Sequence, residues 1–143
     1  MNRVYNNESI IILCISRLLS YGAMDAAKLM LMVVFTVDDR IRTMVTNSNS
    51  ADELFVILHN DKLLNRKYIS YSPYFLNSLI VLKQLGVIAV KETNIYLIND
   101  MFNKNTKTGS NRMTRVLNAS EKVNAILSGM DASELYNKAG IKL

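Results

Sequence analysis

The first third of the chain carries two long apolar runs. Nearly every side chain from Ile10 to Leu19 is apolar, Asn7 can cap a helix before them, and Gly22 follows them. This pattern predicts a buried helix over residues 7–20, because the run is too long for an ordinary strand. Asp25 can cap a second, largely interior helix over residues 26–35.

Shorter periodic segments follow these two runs. Apolar residues at i, i+3 and i+4 spacing predict a third helix over residues 40–45. The polar residues 46–50 predict a loop, and Ser50 or Asp52 can cap a fourth helix after it. Residues 60–71 have a mixed pattern that we interpret as a packed connector.

The clearest local signal lies at residues 72–98. Ser72-Pro73 is typical of a helix start, and Gly86 stands where a helix-terminating glycine belongs, which predicts a helix over residues 73–85. Two β-prone runs, 87–91 and 95–98, flank three polar residues and predict a hairpin. A helix followed directly by a hairpin is typical of a winged helix, although unrelated α+β folds also contain such pairs.

The C-terminal part reads as a polar loop and two helices. Residues 103–111 have no period, whereas residues 112–140 hold an apolar stripe, a break at Gly129 and a second start at Asp131. With no internal repeat and no linker, the chain is expected to form one domain over residues 1–143. The predicted class is mostly α (α+β), a winged-helix-like helical domain with one small β-hairpin.

The composition and the cysteine content indicate where the protein is located. Half of the 143 residues are apolar, which is enough for a core, and the single cysteine, Cys14, sits in an apolar run and fits a reducing environment. No signal peptide is evident, and the longest uncharged apolar stretch, residues 29–37, is far shorter than the roughly 20 residues that a membrane helix needs. We expect a soluble, cytoplasmic protein with no membrane contact.

Residues with catalytic chemistry are sparse. The one histidine, His59, is far in sequence from Cys14, so a cysteine–histidine pair would be an accident of folding. The pair Asp38-Asp39 is better interpreted as a solvated helix cap, and the glycines are isolated rather than clustered in a phosphate loop. The sequence therefore predicts no enzyme, and no catalytic, metal or cofactor-binding residue.

The helix predicted at residues 73–85 is poorly suited to reading DNA bases. Base readout needs cationic or amide side chains, and only Asn77, Ser78, Lys83 and Gln84 qualify on an otherwise apolar helix. The hairpin is equally poor in charge, and its outer side would present Tyr96 or Ile98. We therefore predict a protein-binding surface with these candidate residues: Asn77, Lys83, Gln84 and Tyr96.

Basic charge collects elsewhere. The formal net charge is +5, which is compatible with a nucleic acid or an acidic protein as partner. Candidate phosphate-contacting residues lie in and after the polar loop, with a second basic group, Lys62, Arg66 and Lys67, in the connector. The candidates are Lys104, Lys107, Arg112 and Arg115. Such contacts would have no sequence preference, and the alternative is a merely solvated loop.

Four stretches spread over nearly the whole chain resemble a known family. They are Asn2–Glu8, Asp25–Leu31, Ser78–Ile88 and Ser133–Ile141. The chain resembles the middle components of bacterial three-component ABC ATPase systems, the group that includes the Lamassu-type defence systems; Ala139 departs from the leucine usual there. The resemblance implies a winged-helix-like, non-catalytic adaptor. Its partners would be an SMC-like ABC ATPase and an effector, often a nuclease, in defence against phage or plasmids.

Two other classes of function are also compatible with the sequence. A winged-helix transcription regulator would form a symmetric dimer and bind DNA with sequence selectivity. An enzyme with an unrecognised site is the third alternative.

Overall fold

A computed structural model describes residues 3–59, 63–100 and 111–141. Within these ranges the chain is mostly α-helical with one small antiparallel sheet, which confirms the predicted α-rich, α+β class. The elements in chain order are α1 Arg3–Leu19, β1 Met24–Asp25, α2 Ala26–Val37, α3 Asp39–Thr46, α4 Ala51–His59, α5 Leu64–Gln84, β2 Ile88–Lys91, β3 Asn94–Leu97, α6 Asn111–Leu127 and α7 Ala132–Ala139.

Helix α2 is the centre of the molecule. Asp25 caps its start as predicted, with the carboxylate accepting a hydrogen bond of 2.8 Å from the backbone N–H of Ala27. Every residue from Leu29 to Val37 is buried, because α1, α3, α5, α6 and α7 all pack around this helix. The helix runs past its predicted end at residue 35.

Local signals placed several other helix boundaries correctly. Ser50 precedes α4 and accepts a hydrogen bond from the N–H of Glu53, and Asp131 does the same for Glu134 at the start of α7. Gly140 ends α7 in the left-handed conformation that glycine adopts without strain. Helix α1 differs: it begins at Arg3, so Asn7 lies inside the helix and does not cap it.

The predicted helix start at Ser72-Pro73 is wrong. Helix α5 begins at Leu64, so Pro73 lies inside it and the predicted connector forms its first turns. The reason is tertiary packing, since residues on the inward side before the proline, such as Leu64 and Tyr68, share a face with Phe75. Burial of this continuous face outweighs the hydrogen bond that a proline removes.

The sheet confirms the predicted hairpin and adds a third strand. Strands β2 and β3 pair antiparallel, with Val90 opposite Ile95, around a two-residue turn at residues 92–93. Strand β1 pairs with the other edge of β3, giving the order β1-β3-β2. Strand β1 was not predicted, because two residues are too few to show the alternation that identifies a strand.

Candidate functional site

The side of α5 that faces away from the core is apolar. Ile69, Leu76 and Ile80 recur at spacings of seven and four residues and are 69%, 56% and 54% exposed. These spacings place them on one stripe of a helix, opposite the buried residues Phe75 and Leu82. We call this stripe, Ile69, Leu76 and Ile80, the α5 docking face.

Three of the four predicted partner-binding residues border the α5 docking face. Asn77 and Gln84 are exposed along one flank, and Lys83 is exposed on the other. Tyr96 lies apart from them on β3, opposite Ala89, and is 38% exposed. Ser78, which the sequence analysis also considered for base readout, is buried and donates a hydrogen bond of 2.7 Å to the carbonyl of Tyr74.

Sequence reasoning missed the apolar residues that define this face. Ile69 was assigned to a packed connector, and Leu76 and Ile80 were not separated from the core residues of the same helix. The signal was present as the spacing of these three residues, but it runs across Pro73 and is visible only when the helix begins at Leu64.

The predicted phosphate-contacting residues have different surroundings. Lys104 and Lys107 lie outside the described residues, as does Lys62. Arg112 is half-buried at the start of α6, with its Nε 3.4 Å from a carboxylate oxygen of Asp39. Arg115, one turn later, is exposed and has no ion pair within the described part of the chain.

Arg115 lines a cavity of about 600 Å³ between α3 and α6, which we call the cationic groove. Its walls contribute three cations and one acid. The lining residues are Asp39, Arg42, Thr43, Thr46, Arg115, Asn118, Ala119 and Lys122. The sequence prediction did not include Arg42 or Lys122. Arg42 is far from Arg115 in sequence, and Lys122 lies seven residues after Arg115, outside the basic group that follows the polar loop.

Arg42 is fixed by the C-terminal end of α2. One guanidinium nitrogen donates to the carbonyls of Val37 and Thr36, at 3.0 and 3.3 Å, and another contacts the carboxylate of Asp39 at 2.5 Å. Burial raises the pKa of Asp39, but the hydrogen bond from Arg42 and the charges of Arg112 and Arg42 outweigh it, so the pKa is lowered. Asp39 is therefore a carboxylate that two arginines share.

The neighbouring Asp38 is not solvated as the sequence predicts. Asp38-Asp39 was predicted to be a solvated cap, but the side chain of Asp38 is nearly buried. It accepts hydrogen bonds from the backbone N–H of Ile41, from Lys67 Nζ at 2.8 Å and from the Tyr71 hydroxyl at 3.3 Å. Asp38 therefore caps α3 and also joins it to α5, and Lys67 is an ion-pair partner rather than an open phosphate contact.

Cys14 and His59 lie in unrelated environments. Cys14 is completely buried, and burial raises its thiol pKa to about 12 despite a hydrogen bond with Thr36 and the charge of Arg42. His59 is exposed at the end of α4. Among the described residues, no cluster of His, Cys, Asp and Glu side chains could hold a metal ion. In the same ranges, no helix combines the length and apolar character needed to cross a bilayer.

Comparison with known proteins adds one finding. The family model described as ABC-three component (ABC-3C) system Middle Component 3 matches residues 23–143. The matched range includes β1, α2 and all later described elements, and with them the α5 docking face and the cationic groove. No curated protein and no solved structure matches the chain.

Proposed function

We propose that this chain, which belongs to the Middle Component 3 family of ABC-three component systems, is a non-catalytic adaptor that joins the other components of its system. The family description places it in a system of three components, so it works with other proteins. The described residues offer no metal cluster, and the one thiol is buried with a raised pKa. Membership of a middle-component family supports the adaptor role.

The finer part of the proposal names the partners. We propose that one partner is an SMC-like ABC ATPase and that the other is an effector, with a nuclease as the favoured class. We further propose a cytoplasmic, Lamassu-type role in defence against phage or plasmids. Support for these points comes from the resemblance of four stretches of the sequence, including Ser78–Ile88 in the region of α5 and the hairpin.

The α5 docking face is the observation that carries the adaptor function. Apolar residues that are exposed in a row along a helix raise the free energy of the unbound protein, and this cost is removed when a partner covers them. Ile69, Leu76 and Ile80 form such a row, whereas the polar residues Asn77 and Gln84 occupy its margin. An apolar centre with a polar rim is the usual anatomy of a protein interface.

The charges around this face indicate the chemistry of the partner. Arg66 and Lys83 stand at its two ends, and α5 contains no acidic residue. The best complement is therefore an amphipathic helix with an apolar stripe and acidic flanks. A DNA groove is a poor complement, because the exposed centre of the face is apolar and has no phosphate-binding group.

We also propose that α5 and the hairpin form a winged-helix unit within one domain. Strand β1, between α1 and α2, joins the hairpin of β2 and β3 into one sheet, which supports this interpretation. The core cluster draws buried residues from each described helix and from the sheet, which supports a single domain. In this arrangement the winged helix presents its exposed helix to protein.

Co-purification from cells that express the chain with the ABC ATPase and effector of its own system tests the adaptor. We expect the wild type to recover both. Ile80→Asp is expected to lose at least one partner, with affinity lowered roughly tenfold or more, because an interface anchor contributes about 2 kcal/mol. Lys83→Glu is expected to weaken the same interaction less, through the lost attraction to acidic flanks.

Val56→Asp is the matched control. Val56 is 65% exposed on α4, so the substitution introduces the same charge at a similarly exposed apolar position on another helix. The control is expected to keep both partners. Recovery of neither partner by the folded wild type would overturn the adaptor, and equal recovery by Ile80→Asp and Val56→Asp would overturn the role of the α5 docking face. Sequence-selective DNA binding by a symmetric dimer would favour the transcription regulator instead.

A further inference from the structure

We propose that the cationic groove between α3 and α6 binds phosphate groups, with the backbone of a nucleic acid as the favoured source. This proposal does not rest on the adaptor function, because none of the residues that line the groove belongs to α5. It also goes beyond the sequence prediction, which named Arg115 but neither Arg42 nor Lys122 and did not place them in one groove.

The groove is formed by matching faces of its two helices. On α3 the lining residues are Asp39, Arg42, Thr43 and Thr46, and on α6 they are Arg115, Asn118, Ala119 and Lys122. Both sets follow i, i+3, i+4 and i+7 spacing, which places each set on a single helical face. Because these two faces pack side by side, the groove between them extends over two turns of each helix.

The charge of the groove is positive and largely uncompensated. Asp39 is the acid among the lining residues, and Arg42 and Arg112 already share its carboxylate. Arg115 and Lys122 have no acidic partner within the described part of the chain. An anion that enters the groove therefore meets two cations whose charge is not balanced by a neighbouring carboxylate.

Two of the three cations are also held in place before a ligand binds. Arg42 is buried and fixed by the carbonyls of α2, and Lys122 Nζ donates a hydrogen bond of 2.6 Å to the carbonyl of Thr46. Lys122 keeps two further N–H donors. Ala119 has only a methyl side chain, so the space between Arg115 and Lys122 on α6 stays open.

The lining favours a phosphate backbone over a base. Among the described residues that line the groove none is aromatic, so this lining offers no ring on which a base could stack. The hydroxyls of Thr43 and Thr46 already donate to the backbone of α3, at 2.9 Å each. The remaining donors are mainly cationic, and such contacts bind phosphate without reading sequence.

Fluorescence anisotropy of the full chain with a labelled DNA duplex of arbitrary sequence, at several salt concentrations, tests the proposal. We expect the wild type to bind with an affinity that falls linearly on a log–log plot against salt. The double variant Arg115→Gln, Lys122→Gln is expected to bind more weakly and to reduce the salt slope by about two, one for each lost phosphate contact. Arg115→Lys keeps the charge and is expected to keep most of the binding.

The control is the double variant Lys91→Gln, Lys138→Gln, which removes the same charge from exposed positions on β2 and α7. It is expected to bind like the wild type, with circular dichroism showing that both double variants are folded. Titration with inorganic phosphate and ATP separates the sources. Binding of these ligands without DNA binding, if lost in the groove variant, would assign the groove to free phosphate compounds.

Two results would overturn the proposal. One is a wild type that binds neither DNA nor phosphate nor ATP at low salt. The other is a groove variant that binds DNA and phosphate compounds as the control variant does, since the cations of the groove would then make no contact.

Discussion

Helices α2 and α5 are both rich in apolar residues, yet they occupy opposite positions in the molecule. Five helices surround α2, and its residues from Leu29 to Val37 are all buried. Helix α5 packs on one side only and leaves Ile69, Leu76 and Ile80 in solvent. The difference arises from the number of neighbouring elements and not from the composition of the helices.

This comparison separates two uses of apolar surface. Burial around α2 stabilises the fold itself, since its side chains leave water when the chain folds. The exposed row on α5 does not stabilise the unbound protein, because its side chains stay in water. The free energy of burying them is gained only when a partner binds. Substitutions should therefore change stability in α2 and binding in α5.

The largest effect is expected at the centre of α2. Phe35 is completely buried, so Phe35→Ala should lower the free energy of unfolding by about 3–5 kcal/mol through lost burial and the cavity left behind. Denaturant unfolding followed by circular dichroism measures this loss. Phe35→Leu, with a smaller loss, serves if the alanine variant does not fold. A loss below about 1 kcal/mol for Phe35→Ala would contradict the central position of α2.

The next effect concerns the junction between the end of α2 and α5. Asp38→Ala removes the α3 cap and leaves Lys67 and Tyr71 without their shared partner, so a loss of roughly 2–3 kcal/mol is expected. Asp39→Ala is the adjacent control, and its exposed ion pairs should contribute less than about 1 kcal/mol. Equal losses in the two variants would show that the buried junction has no special role.

Alkaline pH is expected to weaken the core around α2. The pKa of Cys14 is raised from 9.0 to about 12, and burial also raises the pKa of Tyr71 and Tyr136. A group with a raised pKa in the folded state stabilises the protein below its unfolded pKa, and this contribution is lost as pH rises through the folded value. The free energy of unfolding should therefore fall above about pH 9, by up to about 1.4 kcal/mol per pH unit from Cys14, and the two tyrosines should add a smaller loss above about pH 10.

Cys14→Ala isolates the part of this effect that belongs to the thiol. Its unfolding free energy, measured by urea titration at several pH values, should decline less steeply between about pH 9 and 12 than that of the wild type. Parallel curves for the two proteins would show that Cys14 does not titrate with unfolding.

The smallest effect on stability is expected on α5. Leu76 is more than half exposed, so Leu76→Ala should change the free energy of unfolding by less than about 0.5 kcal/mol. Thermal unfolding of Leu76→Ala and Phe35→Ala under the same conditions compares the two losses of stability. If Leu76→Ala lowers the free energy of unfolding nearly as much as Phe35→Ala, Leu76 belongs to the core. The α5 docking face could then not be the partner-binding surface.

Much of the fold could be predicted because its signals are local. Asp25, Ser50, Asp131 and Gly140 act within one helical turn, and their roles at helix ends follow from residue type and spacing. The hairpin is similarly encoded by two β-prone runs around a polar turn.

The features that escaped prediction depend on tertiary contacts. Pro73 is tolerated inside α5 because residues on both sides of it pack on the same core, which a local helix-start signal cannot reveal. The cationic groove brings Arg42 beside Arg115 and Lys122 only when α3 and α6 meet. The exposed face of α5 likewise becomes visible only when it is known which side of the helix the core covers.

The strand pairing has a consequence for the order of folding. Met24, near the start of the chain, pairs with Ile95 in β3, and the N–H of Ala26 donates a hydrogen bond of 2.9 Å to the carbonyl of Thr93 in the hairpin turn. Four helices lie between these partners in the chain, so the pair closes a long loop, and this loop entropy is lost before the contact stabilises the fold. We expect the helices to form early and the third strand to join the hairpin late, as pulse-labelled amide exchange at Ala26 would show.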